Sequence, residues 1–315
     1  MRRLLLSVAI AVVFAVAAQI FVGWRALVYP WLFIDDPLSL SAAVGLLGAT
    51  YVIRALRLYR YFHLRRGFMA CMRVLLQHTL LINLLPFRTG ELAFPALMSR
   101  YFGMPAARSL AALVWLRALD FHVLVWIPLL LVTWAATPTV AAVAAVLCVL
   151  WLGALFAALL LARSPRIPEV EAPTKLAQIA RDVLAAVPAT AGELMENWFL
   201  TLLNWALKLA VFAWIIRVFS GEPYMPSLVG AIGGELSSVL PIQGIAGIGT
   251  YEAGVVAAMS ALGVAVSTAL TGAVNLHFLF LGVSIVGAGV ALLIPTPGVY
   301  RREGQSTNAP LINTR

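Results

Sequence analysis

Two stretches of this sequence place an arginine three residues before an acidic residue, within apolar surroundings. Arg88 and Glu91 occur in NLLPFRTGELAFP, and Arg117 and Asp120 occur in LVWLRALDFHVLVW. A spacing of three puts both side chains on one face of a helix, where they can form an ion pair. The guanidinium fork of arginine also binds phosphate oxygens. The sequence therefore leaves two interpretations open for each pair: a structural ion pair, or an anion site that the carboxylate holds in position.

A second unusual stretch, LPIQGIAGIGTYEAG, combines proline, several glycines and one glutamate. Proline and glycine interrupt helices and so leave backbone amides available to a ligand. The residues predicted to bind substrate in or near this stretch are Gln243, Gly249, Glu252, Asn275 and His277. The candidates for proton coupling are Glu252, His277 and Glu235. The alternative role for Glu252 is a helix cap, and that for His277 is a plain hydrogen-bond partner.

The composition places this chain in a membrane. Hydrophobic residues make up 62% of its 315 residues, charged residues make up 11%, and the mean hydropathy is +0.96. The net charge of +9 comes from basic residues between apolar segments, so it indicates membrane orientation and not nucleic-acid binding. Cys71 and Cys148 lack the spacing of metal ligands, and we find no catalytic or cofactor motif. We therefore expect no metal, no cofactor and no enzymatic activity.

Apolar runs of about 20 residues, the length that crosses a bilayer, recur along the chain. The predicted fold is an all-α integral membrane protein with two helical hairpins, either re-entrant or fully crossing, at residues 68–103 and 225–262. Their broken tips fall at residues 86–90 and 241–249, where non-helical backbone must be covered by protein or water. The first span is interpreted as a retained helix because it is longer than a signal-peptide core. The six predicted full spans are residues 4–22, 38–54, 106–135, 139–162, 194–219 and 265–294.

Basic residues predict the orientation of these spans. Most of the 22 Lys and Arg residues fall on one side of the membrane in an alternating count, including Arg54, Arg57 and Arg60 after the second span. The positive-inside rule places that side, and both termini, in the cytoplasm. The predicted organisation is one polytopic domain over residues 1–300, with a cytoplasmic connector over 163–193 and a short cytoplasmic tail over 301–315.

The two interrupted segments resemble each other. Both run from Leu-Pro through glycine to glutamate, and one constant offset aligns Gly103 with Gly263 and Arg117 with His277. Chance is the competing explanation in so apolar a chain. The predicted repeats cover about residues 38–135 and 194–294, and the count of spans gives them opposite orientations. Inverted repeats with paired broken helices form the transport sites of many secondary transporters, in which one repeat rocks against the other.

The stretches NLLPFRTGEL, RALDF and LPIQGIAGIGTYEAG together resemble the transmembrane family named after lysylphosphatidylglycerol synthase, over roughly residues 38–294. The resemblance implies a lipid-translocating protein with Arg88, Glu91, Gly249 and Glu252 at its cavity. Bifunctional members carry an aminoacyl-transfer domain, whereas this sequence ends at residue 315. We therefore expect a stand-alone member. Cargo varies among stand-alone members, so the resemblance does not fix the lipid.

From these features we predict a flippase-type transporter in a bacterial inner membrane. Its cargo is an anionic phospholipid or a polyisoprenyl-phosphate lipid, whose headgroup Arg88 and Arg117 engage while Glu91 and Asp120 hold the arginines in place. Two alternatives are a non-transporting scaffold or regulatory subunit of a lipid-modifying pathway, and a transporter of a small soluble anion. The further partners considered are a second copy of the chain and a lipid-synthesising enzyme.

Overall fold

Helices dominate the computed structural model, and no strand occurs among the residues that it describes. Those residues are 12–13, 15–16, 18–20, 23–32, 37–64, 67–163, 175–239 and 245–295. The all-α fold predicted from the sequence is confirmed. In chain order, the helices in these segments are α1 (Trp24–Leu32), α2 (Pro37–Tyr61), α3 (Phe68–Leu84), α4 (Ala93–Phe102), α5 (Ala106–Ala135), α6 (Pro138–Ala162), α7 (Lys175–Ala185), α8 (Ala191–Ser220), α9 (Tyr224–Val239), α10 (Thr250–Ser260) and α11 (Val266–Leu293).

Five helices of the described chain are long and apolar enough to cross a membrane: α2, α5, α6, α8 and α11. Each corresponds to one of the predicted spans. The remaining predicted span, residues 4–22, falls largely outside the described residues. The chain is thus a multi-pass membrane protein.

The second span is longer than predicted. α2 continues to Tyr61, beyond the expected end at residue 54, so Arg54, Arg57 and Arg60 lie within the helix and do not follow it. The sequence from Arg54 to Tyr61 contains neither glycine nor proline, so nothing in it ends the helix. Because the three arginines lie within α2, each side chain leaves the helix on a defined face.

Both interrupted segments consist of two helices separated by a break. In the first, α3 and α4 flank a 3-10 segment, Pro86–Leu92, which we call the first tip. In the second, α9 and α10 flank residues 245–249, which we call the second tip. Residues 240–244, which include Pro241 and the candidate Gln243, lie outside the described residues.

Glycines allow α9 and α10 to approach each other closely. A Cβ atom added to Gly233 would lie 2.5 Å from the carbonyl oxygen of Gly254, and one added to Gly254 would lie 2.6 Å from that of Gly233. No side chain fits at either position, so the two glycines permit a close helix pair of the kind common in membranes.

The backbone repeats its geometry after each hairpin. Gly103 follows α4 with a φ of +66°, and Gly263 follows α10 with a φ of +85°. The residues that precede the next long helices also match, with φ and ψ of −57° and 138° at Pro105, and −60° and 139° at Ala265. Left-handed backbone at the end of a helix favours glycine, so the same backbone conformation explains why glycine occurs at both aligned positions.

The described chain divides into two compact units that alternate along the sequence. The first unit contains the residues up to Val52, together with Met72–Ala93 and Ala206–Pro295. Within it, α11 lies against α1, α9 and α10. The second unit contains Ile53–Cys71 and Phe94–Trp205, and in it α5 packs against α6 and α7. Its core includes Trp115, Leu119, Leu155, Leu159 and Leu194.

Candidate functional site

The first tip, in the first unit, is a strained turn packed tightly on the helix before it. Arg88 has a φ of +56°, a left-handed conformation that few non-glycine residues adopt. Gly90 is buried, and a Cβ atom there would lie 2.2 Å from the carbonyl oxygen of Leu81 in α3. This close approach requires glycine and fixes the direction in which the Arg88 side chain leaves the turn.

Arg88 has partners in both hairpins. Its Nη2 lies 3.0 Å from Oε1 of Glu91, which confirms the ion pair inferred from their spacing. Its Nη1 also donates to the carbonyl oxygen of Val239, 3.1 Å away, at the last residue of α9. A cation at a helix C-terminus is favourable because the final carbonyls lack partners within the helix. Arg88 therefore connects the first tip to the end of α9.

The second tip is equally irregular and contacts the first tip. Ala246 has a φ of +56°, and Gly249 has a φ of +88°. Gly249 directly precedes α10, and its backbone N–H donates to Oε2 of Glu252 at 2.7 Å. The capping role considered for Glu252 is therefore confirmed.

Glu252 also forms a buried pair with His277. Its Oε1 lies 2.5 Å from Nδ1 of His277, and Nε2 of the same ring lies 2.9 Å from the carbonyl oxygen of Ala246. The two side chains are 3% and 2% exposed. The ring stacks on Phe280, with centroids 4.7 Å apart. His277 therefore ties α11 both to the second tip and to the start of α10.

Glu235 forms an ion pair with a lysine of another helix. Nζ of Lys208, in the middle of α8, lies 2.8 Å from Oε2 of Glu235 and 4.9 Å from the centre of the Phe212 ring. Glu235 is buried, so this contact compensates a charge that would otherwise be costly in the membrane. Between the acidic residues lies Tyr251, whose hydroxyl makes no hydrogen bond within the described residues and interacts electrostatically with both Glu235 and Glu252.

Asn275, another predicted binding residue, is fully buried on α11. Its Oδ1 accepts a hydrogen bond from the Trp31 indole of α1, and its Nδ2 donates to the carbonyl oxygen of Thr271 at 2.8 Å. Its side chain therefore links α1 to α11.

The second unit contains a separate cluster around Asp120. Arg117 Nη1 lies 3.2 Å from Oδ2 of Asp120, which confirms the pair predicted on α5. Arg57 Nη1 lies 2.6 Å from Oδ1 of Asp120 and also donates to Oγ1 of Thr201 at 2.7 Å. The Trp205 indole donates to the same carboxylate at 3.4 Å. Asp120 thus joins α2, α5 and α8.

Further positive charge lies near Asp120. Arg54, one turn before Arg57 on α2, also interacts electrostatically with this carboxylate. Arg54, Arg57 and Arg117 therefore concentrate positive charge at Asp120. Arg57 is almost completely buried, whereas the side chain of Arg117 is 26% exposed, so Arg117 is the more accessible cation for a ligand.

Sequence reasoning missed Arg57 as a member of this cluster because it assigned the residue to the polar segment after the second span. A signal was present, since the helix-compatible sequence RALRLYRY continues the apolar pattern beyond residue 54. Following that pattern would have placed Arg54 and Arg57 on neighbouring turns of a spanning helix.

No group of three or more His, Cys, Asp or Glu side chains within the described residues is arranged to hold a metal ion.

Comparison with known proteins identifies a family of membrane proteins that the chain matches. Residues 3–287 match the family model described as "Lysylphosphatidylglycerol synthase TM region". No curated protein and no solved structure matches the chain.

Proposed function

We propose that this chain, which belongs to the lysylphosphatidylglycerol synthase TM-region family, is a lipid flippase. In this proposal it moves the headgroup of an anionic or phosphate-bearing lipid across the bilayer by alternating access, while the acyl or prenyl tail stays in the hydrocarbon. The membrane is a bacterial inner membrane with both chain termini in the cytoplasm. The chain catalyses no group transfer itself.

The observation that carries this proposal is the concentration of arginine around Asp120. Charged side chains on membrane-spanning helices need a partner of opposite charge, and they commonly mark a substrate path. Arg54, Arg57 and Arg117 concentrate positive charge beside Asp120. Such a concentration attracts an anionic headgroup, and guanidinium groups recognise phosphate oxygens by paired hydrogen bonds.

The two tips, which both lie in the first unit, support the same proposal. Broken helices are tolerated at membrane depth where they are buried in protein or line a wet cavity, and they form the binding sites of many transporters. Here the two tips contact each other, and both contain a non-glycine residue with left-handed backbone, Arg88 and Ala246. Such strain is retained at sites where it serves function.

A headgroup-translocation assay tests the proposed cargo. Purified protein is reconstituted into vesicles that contain a fluorescent phosphatidylglycerol or a matched fluorescent phosphatidylcholine, and a membrane-impermeant quencher measures transfer between leaflets. We expect faster transfer of the anionic lipid. Arg117→Gln should lower that rate at least about tenfold, because a hydrogen bond to a charged group contributes about 1.5–3 kcal/mol.

Arg60→Gln is the matched control, because Arg60 lies on α2 one turn beyond Arg57 and forms an exposed pair with Glu196. It should translocate lipid at the wild-type rate. Equal rates for the wild type and Arg117→Gln would overturn the assigned site. The absence of transfer for every lipid would favour the scaffold, and phosphate uptake that is independent of the lipid would favour a soluble-anion transporter.

A further inference from the structure

The Glu252–His277 contact fixes the number of protons that the pair holds. A carbonyl oxygen only accepts hydrogen bonds, so the contact with Ala246 requires a hydrogen on Nε2 of His277. Between Nδ1 and Oε1 of Glu252, at 2.5 Å, two bare lone pairs would repel, so one proton must lie there as well. The pair is either imidazolium with carboxylate or neutral imidazole with carboxylic acid. It is electrically neutral in both forms.

Among the described residues of the first unit, the charged groups near the pair already have partners of opposite charge: Lys208 pairs with Glu235, and Arg88 pairs with Glu91. The other titratable group against the pair is the buried Tyr251 phenol, which contributes no positive charge. The remaining titratable side chains of α1, α9, α10 and α11 in the described chain are exposed, namely Arg25, Tyr29 and Tyr224. A deprotonated pair would therefore carry an uncompensated negative charge in a buried site, which is strongly unfavourable.

The same proton holds the second tip in place. His277 donates to the carbonyl oxygen of Ala246, and Glu252 accepts from the amide of Gly249. The pair therefore binds the backbone of the second tip at two points. Once the proton leaves, two lone pairs face each other and the ring and carboxylate must separate. The left-handed backbone at Ala246 then loses a contact that stabilises it.

We propose that Glu252 and His277 form a binding site for one proton, and that its uptake and release close and open the second tip during lipid transport. On release, the proton between Nδ1 and Oε1 passes to water, His277 keeps the hydrogen on Nε2, and Glu252 retains the negative charge. The coupling rests on the proposed lipid transport, whereas the proton site itself is a property of the first unit.

Nitrogen NMR of the histidine rings tests the proton site without any transport. The chain has four histidines, so ¹⁵N-histidine labelling of the untagged protein gives few signals, and loss of one in His277→Asn assigns it. We expect Nε2 of His277 to be protonated in both acidic and alkaline buffer. As the pH rises, the Nδ1 signal should move from the shift of a nitrogen that shares a proton with Glu252 to that of a nitrogen without such a proton. A spectrum of His277 that is identical in both buffers would overturn the proposal.

Glu252→Gln provides a second measurement with a side chain of nearly the same size and shape. The glutamine amide can still accept from Gly249 and donate to Nδ1, but it cannot release a proton to water. The Nδ1 signal of His277 should then remain unprotonated throughout the pH range. A wild-type titration in this variant would contradict a shared proton.

Proton flux tests the coupling. A pH-sensitive dye inside the phosphatidylglycerol vesicles reports proton movement while lipid is translocated. We expect lipid-dependent proton flux in the wild type and its loss in Glu252→Gln. The control His63→Asn changes the exposed histidine that lies 3.6 Å from Glu193 and should keep the wild-type flux. Wild-type flux in Glu252→Gln would refute the coupling. Absence of lipid transfer by the wild type would refute the proposed function instead, and the NMR titration would still decide the proton site.

Discussion

At the scale of single residues, Asp120 is the common ion-pair partner of Arg57 and Arg117 in the second unit. Its carboxylate accepts hydrogen bonds from Arg57, Arg117 and Trp205, and the Arg57 side chain is only 8% exposed. Removing one partner of a buried ion pair costs more than the pair itself contributes, because the remaining charge stays buried without compensation. Here two arginines would lose their common partner at once.

Asp120→Asn should therefore lower the free energy of unfolding by about 3–5 kcal/mol. Reversible denaturant unfolding of the protein in detergent micelles measures this loss. The matched control is Glu196→Gln, which breaks the exposed pair with Arg60 and should cost less than about 1 kcal/mol. Equal losses in the two variants would contradict the view that burial makes the Asp120 cluster essential.

At the scale of elements, the second hairpin depends on the close contact of α9 and α10. Gly233 and Gly254 face each other, and Gly234 lies against the Tyr251 ring in the same interface. Because Tyr251 precedes Glu252 on α10, the helix contact also positions the carboxyl group that binds His277. A change in the spacing of α9 and α10 should therefore alter the position of Glu252 relative to His277.

Gly233→Ala should destabilise the hairpin, since its new Cβ would lie 2.5 Å from the Cβ of Ala258. Overpacking of this kind costs about 1–3 kcal/mol. Gly282→Ala in α11 is the matched control, because a Cβ there meets no atom within 4 Å and alanine is the better helix former. Thermal unfolding in detergent should show a lower midpoint for Gly233→Ala and no loss for Gly282→Ala. A midpoint lowered equally in both variants would contradict this account.

At the scale of the whole molecule, the basic residues and the repeat predict opposite orientations for the two hairpins. The prediction places the connection after α4 on the cytoplasmic side and the connection after α10 on the outer side. Pro105 and Ala265 occupy equivalent places in these connections, with nearly identical backbone angles and exposed side chains. They therefore offer matched positions for a test of topology.

Pro105→Cys and Ala265→Cys, each in a variant with Cys71 and Cys148 replaced by alanine, should react differently with a membrane-impermeant maleimide. In intact bacterial cells we expect labelling of Ala265→Cys alone, and after lysis we expect labelling of both. Labelling of both variants in intact cells, or of neither, would show that the repeats are not inverted.

The sequence by itself determined the features that depend on neighbouring residues. Apolar runs predicted six spans, of which five correspond to helices of the described chain that are long enough to cross a membrane. Proline and glycine located both hairpin breaks. The spacing of three predicted the ion pairs Arg88–Glu91 and Arg117–Asp120. Arg117 and Asp120 meet on one face of α5, whereas Arg88 and Glu91 meet within the tight turn of the first tip. All of these features depend on residues that are close in the sequence, so predicting them required no knowledge of how the helices pack.

Only the tertiary structure decided which distant groups share a partner. Arg57 and Asp120 are 63 residues apart, and Arg88 and Val239 are 151 residues apart. The pairs Lys208–Glu235 and Glu252–His277 likewise join different helices. In a buried apolar setting each charge must find a partner, but sequence spacing cannot say which one, because that depends on the rotation and approach of packed helices. Packing therefore placed Arg88 at the C-terminal end of α9, and it placed the carboxyl group of Glu252 beside His277.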